Sequence, residues 1–175
     1  MLTGVGSAYI NQPLYGLPTA KTDEFLANGL GAQYLTQLDK LIVVSMGTGT
    51  SFVKVDGPLI EHIGAIGIGG GTILGLSRLL LNTQDFHQIQ DICNIPLPGL
   101  PLDATASTFG KAGANSSQED VALGIIYMVL QCIGQSVILA ALNSDIHDYV
   151  LIGNLTKLPQ CESIFPRLEE MYGGH

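Results

Sequence analysis

The run Lys40-Leu-Ile-Val-Val-Ser-Met46 is almost wholly apolar and does not alternate, which predicts a β-strand covered on both faces. After a Gly47-Thr48-Gly49-Thr50 turn, Phe52-Val53-Lys54-Val55 does alternate, as a strand with one wet face does. Asp56-Gly57 is a strong hairpin-turn signal, so Leu59 to Ile63 reads as the return strand. Apolar positions then move to helical spacing. A glycine run feeds a helix through Leu74-Gly75-Leu76-Ser77-Arg78-Leu79-Leu80, and a second helical stretch follows Asn82-Thr83 and runs to Ile92. Upstream, Thr22-Asp23-Glu24 is a helix entrance whose early carboxylates suit the helix dipole, with Phe25, Leu26, Leu30, Tyr34, Leu35 and Leu38 as the apolar face. Downstream, Ser116 and Ser117 before Glu119-Asp120 open a long apolar helix. His147 to Ile152 reads as a strand ending at Gly153-Asn154, and Pro159 to Met171 as an amphipathic helix. Met1 to Thr22, broken by Gly4, Gly6, Pro13, Gly16 and Pro18, reads as loops around a short strand. Asn94 to Leu102, with Pro96, Pro98 and Pro101, is an irregular connector. Strands alternating with helices predict an α/β protein.

Composition narrows the function. With 175 residues, 46% apolar and 13% charged, the chain can bury a core as one domain or slightly more. Its net charge of −8 and scattered basic residues offer no cationic stripe for a nucleic acid. Cys93, Cys132 and Cys161 lie far apart, without CxxC or Cys/His clustering, so neither zinc nor a disulfide framework is expected. No cleavable signal peptide is visible, and a cytoplasmic location is the expectation. Val121 to Leu142 carries no charge and is long enough to span a bilayer. Gln131, Gln135 and Ser136 interrupt it and no Lys or Arg anchors it closely, which favours a buried or subunit-interface helix over a membrane span.

The candidate chemistry lies in two glycine-rich runs about one hairpin apart. Met46-Gly-Thr-Gly-Thr-Ser51 follows the apolar strand, and Gly64-Ala-Ile-Gly-Ile-Gly-Gly-Gly-Thr72 opens a helix. Such turns let backbone N–H groups and the positive end of a helix approach an anion, so together they point to a phosphate or nucleotide site; a tight hairpin and a close helix–strand crossing is the purely structural alternative. There is no GxxxxGK[ST] P-loop and no GxSxG nucleophile elbow. Gly67-x-Gly69 has Thr72 where a dinucleotide fingerprint needs a third glycine. The order strand, GTGT turn, hairpin, GGGT and helix is that of the actin/hexokinase-like phosphotransferases.

Along nearly its whole length the chain also resembles the type II pantothenate kinases. The residues that carry the resemblance are Leu2-Thr3-Gly4, Asp23-Glu24-Phe25, Val44-Ser-Met-Gly-Thr-Gly-Thr50, and His62-Ile-Gly64 with Gly67-x-Gly-Gly-Gly-Thr72. Asp103-Ala-Thr-Ala-Ser107 with Phe109-Gly-Lys111, and Ile152-Gly-Asn-Leu-Thr156, complete the set. The resemblance implies an actin-like ATPase (ribonuclease H-like) fold, with residues 1–38 a remnant of a first domain carrying the catalytic-Glu helix and 39–175 the second, nucleotide-side domain. It implies ATP- and Mg²⁺-dependent phosphorylation of pantothenate at its primary hydroxyl, the first step of coenzyme A synthesis, by a homodimer. Glu24 would be the general base that accepts the hydroxyl proton. His62 stands where some relatives have an arginine that contacts pantothenate or the transferring phosphate. Gly47, Thr48, Gly49 and Thr50 would cradle phosphates, Gly69, Gly70, Gly71 and Thr72 would line the nucleotide side of the cleft, and Gly153 and Asn154 would lie near the adenosine. Thr105 and Ala106 would complete the pantothenate pocket across the dimer interface.

The pattern departs from the family at several points. The family opens with a strand and a DxGGT-type turn whose aspartate helps position Mg²⁺, and closes with a Gly/Ala-rich helix; neither has a match here. Ala65-Ile66 stands where relatives commonly have a glycine and often a threonine. The expectation is therefore a pantothenate kinase in an incomplete form. The alternatives are a non-catalytic module that binds nucleotide or coenzyme A beside a complete kinase, and a kinase of the same superfamily acting on a sugar or acetate.

Overall fold

The computed structural model describes residues 1–83, 85–93 and 116–172. Readings that fall on 94–115, including the proline-rich connector, Thr105 and Ala106, lie outside the described residues. A four-stranded sheet forms the centre. Strands β1 (Lys40–Met46), β2 (Thr50–Asp56) and β3 (Leu59–Ile66) make an antiparallel meander, and β4 (Tyr149–Ile152) pairs parallel to β1, giving the order β3-β2-β1-β4.

The unbroken apolar run of β1 is explained by cover on both faces. Ile42, Val44 and Met46, with Phe52 of β2, point into the larger core, which they share with helices α2 (Gly70–Leu81), α3 (Phe86–Cys93), α4 (Gln118–Ala141) and α5 (Cys161–Tyr172). Leu41 and Val43, with Val53 and Val55, point the other way onto helix α1 (Glu24–Thr36) through Phe25 and Ala32. The helix of the 1–38 segment therefore shares a core with the sheet of the 39–175 segment. The described residues form a mixed α/β fold around this sheet.

Helix α4 buries Ala122, Ile125, Ile126, Val129, Leu130, Ile133, Val137 and Ala141, a stripe at three- and four-residue spacing. It is long and apolar enough to cross a membrane, yet half of its most apolar window is buried in the fold. Its start is fixed by a reciprocal cap: Asp120 N donates to Ser117 Oγ at 3.1 Å, and Ser117 N donates to Asp120 Oδ2 at 3.1 Å. Asp23 caps α1 without such a return bond, its Oδ1 accepting from Phe25 N at 2.9 Å and Leu26 N at 3.0 Å.

Four elements differ from the sequence reading. On α1, Leu26, Leu30, Tyr34 and Leu35, read as part of its apolar face, are exposed, and Phe25, Gly29 and Ala32 face the sheet instead. The N-terminal stretch contains a 3-10 turn (Val5–Tyr9) and two isolated bridges, Leu2 to Lys21 and Leu14 to Leu17, in place of a short strand; its glycines and prolines leave no run long enough to pair. Strand β3 continues three residues beyond Ile63, because a bulge opposite Phe52/Val53 absorbs Ile63 and lets Gly64, Ala65 and Ile66 pair with Phe52, Ser51 and Thr50. Strand β4 begins at Tyr149, not His147.

Cys161 is a core residue. Its Sγ–H donates to the Leu155 carbonyl at 3.1 Å, and burial pushes its pKa up to about 11, so the thiol is protonated and unreactive near neutrality.

Candidate functional site

The two glycine-rich turns meet at the end of the sheet where β1 stops. Gly70 N donates to the Gly47 carbonyl at 2.8 Å, and Gly71 N donates to the Thr48 carbonyl at 2.9 Å. The start of α2 is thus hydrogen-bonded directly onto the β1–β2 turn. That contact needs glycine. A Cβ on Gly69 would lie 2.7 Å from Thr48 O, 2.8 Å from Gly49 Cα and 2.9 Å from Gly47 O, all backbone atoms. Gly67, two residues earlier, has open space around it. Gly69→Ala is therefore expected to cost about 3 kcal/mol, and Gly67→Ala to be close to neutral, in urea unfolding of the purified chain. Equal midpoints for the two variants would refute the interlock.

The threonines of these runs tie the turns together. Thr50 is 2% exposed, and its Oγ1 donates to the Ile68 carbonyl at 2.9 Å. Thr72 Oγ1 accepts from Gly69 N at 3.2 Å, a one-sided cap at the start of α2, since Gly69 has no side chain to return a bond. The helix-start amides and these two hydroxyls are thus engaged within the protein, which modifies the simple picture of a bare anion cradle.

Beside the interlock lies a cleft of about 550 Å³, within the size range of small-molecule sites. Its walls are Gly47, Thr48, Gly70, Gly71 and Leu74 from the interlock and α2, Phe86 and His87 from α3, and Asn154, Leu155 and Lys157 from the 3-10 turn after β4 (Asn154–Lys157). Of the residues singled out from sequence, it brings together Gly47, Thr48, Gly70, Gly71 and Asn154. Gly49, Thr50, Gly69, Thr72 and Gly153 do not line it. Gly69 and Gly153 are instead points of close approach beneath it: Gly153 has φ +102°, and a Cβ there would meet Met46 O at 2.4 Å. Phe86, His87 and Lys157 were not singled out from sequence. Lys157 could have been, since it sits three residues beyond the Gly-Asn turn in a chain with only seven lysines and arginines.

Glu24 and His62 do not line this cleft. Glu24 is the first residue of α1, half-buried, with Oε2 3.9 Å from the position of a Cβ on Gly4. Helix α1 runs down β3 from His62, which Phe25 touches, past Ile60 at Gly29, to the Gly57 carbonyl, which accepts from Gln33 Nε2 at 2.8 Å. Its N-terminus therefore points toward the same end of the sheet as the glycine turns, but on the face opposite α2. The His62 imidazole lies flat on the Phe25 ring, with centroids 3.9 Å apart and planes 6° from parallel. That stacking joins β3 to the residue after Glu24. His62→Phe is expected to keep the melting temperature, while His62→Ala loses about 1 kcal/mol of pair energy; equal loss in both would show that the ring contact does not matter.

Among the described residues no group of three or more His, Cys, Asp or Glu could hold a metal ion, and no carboxylate lines the cleft. The described residues of the cleft therefore supply no carboxylate ligand for Mg²⁺.

Residues 33–96, which contain both glycine turns and His62, match the Fumble family. A type II pantothenate kinase of Bacillus cereus (strain G9842) is 29% identical over 178 residues, covering 87% of this chain and 65% of the relative. A type II pantothenate kinase of Staphylococcus epidermidis (strain ATCC 35984) is 31% identical over 131 residues, covering 63% of this chain and 49% of the relative. Pantothenate kinase 1 of Arabidopsis thaliana is 32% identical over 127 residues, covering 58% of this chain and 33% of the relative. The chain is thus homologous to the pantothenate kinases at moderate identity over much of its length, and it spans 65% or less of the length of these relatives.

Proposed function

We propose that this chain is the nucleotide-side portion of a pantothenate kinase, using ATP to phosphorylate the primary hydroxyl of pantothenate. The observation that carries the reading is the interlock of the two glycine turns at the floor of a ligand-sized cleft, within the segment that matches the Fumble family. Homology to pantothenate kinases supports a kinase function in general; pantothenate as acceptor rests on the names of the relatives. In the proposed reaction the hydroxyl oxygen attacks the γ-phosphorus, the bond to the ADP oxygen breaks, and the hydroxyl proton passes to Glu24. Closure of the Glu24 end of α1 toward the turns would be required, since the carboxylate is not a wall of the cleft.

The test is a coupled assay of ADP release by the purified chain. Release that depends on pantothenate supports the proposal. Release that depends instead on a sugar or acetate identifies another kinase of the same superfamily. The placement of Glu24 and His62 away from the cleft favours one second reading, a module that binds nucleotide or coenzyme A without turnover. Calorimetric binding with no ADP release would establish that reading and overturn the first.

A further inference from the structure

The cleft is charged against the grain of the molecule. Fifteen acidic residues outnumber seven basic ones, yet among the described residues the walls carry one ammonium, Lys157, one imidazole, His87, and no carboxylate. Lys157 has no carboxylate partner among the described residues and is exposed at the last position of the 3-10 turn that follows β4. Meanwhile the donors that a helix start would ordinarily offer an anion are engaged, because the Gly70 and Gly71 amides bond the Gly47 and Thr48 carbonyls. An anion in this cleft then finds its positive charge on side chains, and among the described residues Lys157 is the one lysine or arginine lining it.

Resting on the nucleotide reading above, we infer that Lys157 is the phosphate-contacting residue of the cleft, taking the polyphosphate tail of a nucleoside di- or triphosphate. Asn154, one 3-10 turn earlier on the same wall, supplies neutral donors and acceptors. Phe86, Leu74 and Leu155 supply apolar lining against which a base can lie. The ammonium acts as a point charge that a lysine stem can swing over the tail, and its contribution falls as salt rises.

The experiment is calorimetry on the wild-type chain, Lys157→Gln and Lys157→Arg, with ADP and with adenosine as probes at two salt concentrations. Because Lys157 is exposed and unpaired, both variants are expected to fold as the wild type does. Lys157→Gln should bind ADP about tenfold more weakly, bind adenosine unchanged, and lose much of the salt dependence; Lys157→Arg should restore ADP binding. Equal ADP affinity in wild type and Lys157→Gln overturns the inference while leaving a nucleotide site standing. A wild-type chain that binds neither probe overturns the nucleotide reading and this inference with it.

Discussion

Gly153→Ala is expected to remove about 4 kcal/mol of stability, a large share of the roughly 5–15 kcal/mol that a folded domain commonly has. Two independent costs combine. The backbone at Gly153 has φ +102° and ψ 177°, a region that side-chain-bearing residues almost never occupy. The new methyl would also stand 2.4 Å from Met46 O and 2.8 Å from Met46 C, at the end of β1. Backbone in a sheet cannot yield as a flexible side chain can, so the β4 turn must move away from β1. Gly57→Ala separates the two costs. Gly57 also has positive φ, +58°, but nothing lies within 4 Å of its Cβ position, so it should lose only about 1 kcal/mol. Urea midpoints of both variants give the comparison, and similar losses would mean that the Met46 approach is not tight in solution.

The second large effect concerns turnover. On the mechanism proposed above, Glu24→Gln should lower pantothenate-dependent ADP release by about 10²- to 10⁴-fold, the usual cost of losing a general base. The amide is isosteric and cannot accept a proton from an alcohol. The fold should hardly respond, because the cap of α1 belongs to Asp23, and Glu24 adds only a first-turn interaction with the helix dipole, worth about 0.3–1 kcal/mol. A large fall in rate with an unchanged melting curve supports the base. Unchanged turnover would take Glu24 out of the reaction and leave it a helix-start acid.

The sheet was legible because its signals are local. Lys40–Met46, the Asp56-Gly57 turn and the Ser117 cap each announce themselves within a few residues, and β1, the β2–β3 hairpin and α4 follow them. The site was legible in outline only. A Thr-Gly turn reads the same whether its hydroxyl meets a ligand or a carbonyl; Thr50 bonds Ile68 O, and Thr72 caps its own helix. A histidine ending up flat on a phenylalanine 37 positions earlier, as His62 does on Phe25, leaves no local trace. His87 and Lys157 become neighbours of the glycine turns only through the packing of α3 and the turn after β4. The fidelity of the glycine positions, by contrast, is a matter of space, and Gly69 and Gly153 are both sites where backbone touches backbone.

The parallel pairing of β4 with β1 has a kinetic consequence. The β1–β2–β3 meander and α1 can associate from contacts near in sequence, whereas Ile42 meets Tyr149 only after about a hundred intervening residues have been made and gathered in. During synthesis on the ribosome, one wall of the cleft exists long before Asn154, Leu155 and Lys157 emerge to complete it. Until that late strand docks, the free side of β1 is an open edge able to recruit foreign strands, so the nascent protein's vulnerability to aggregation is concentrated in that interval.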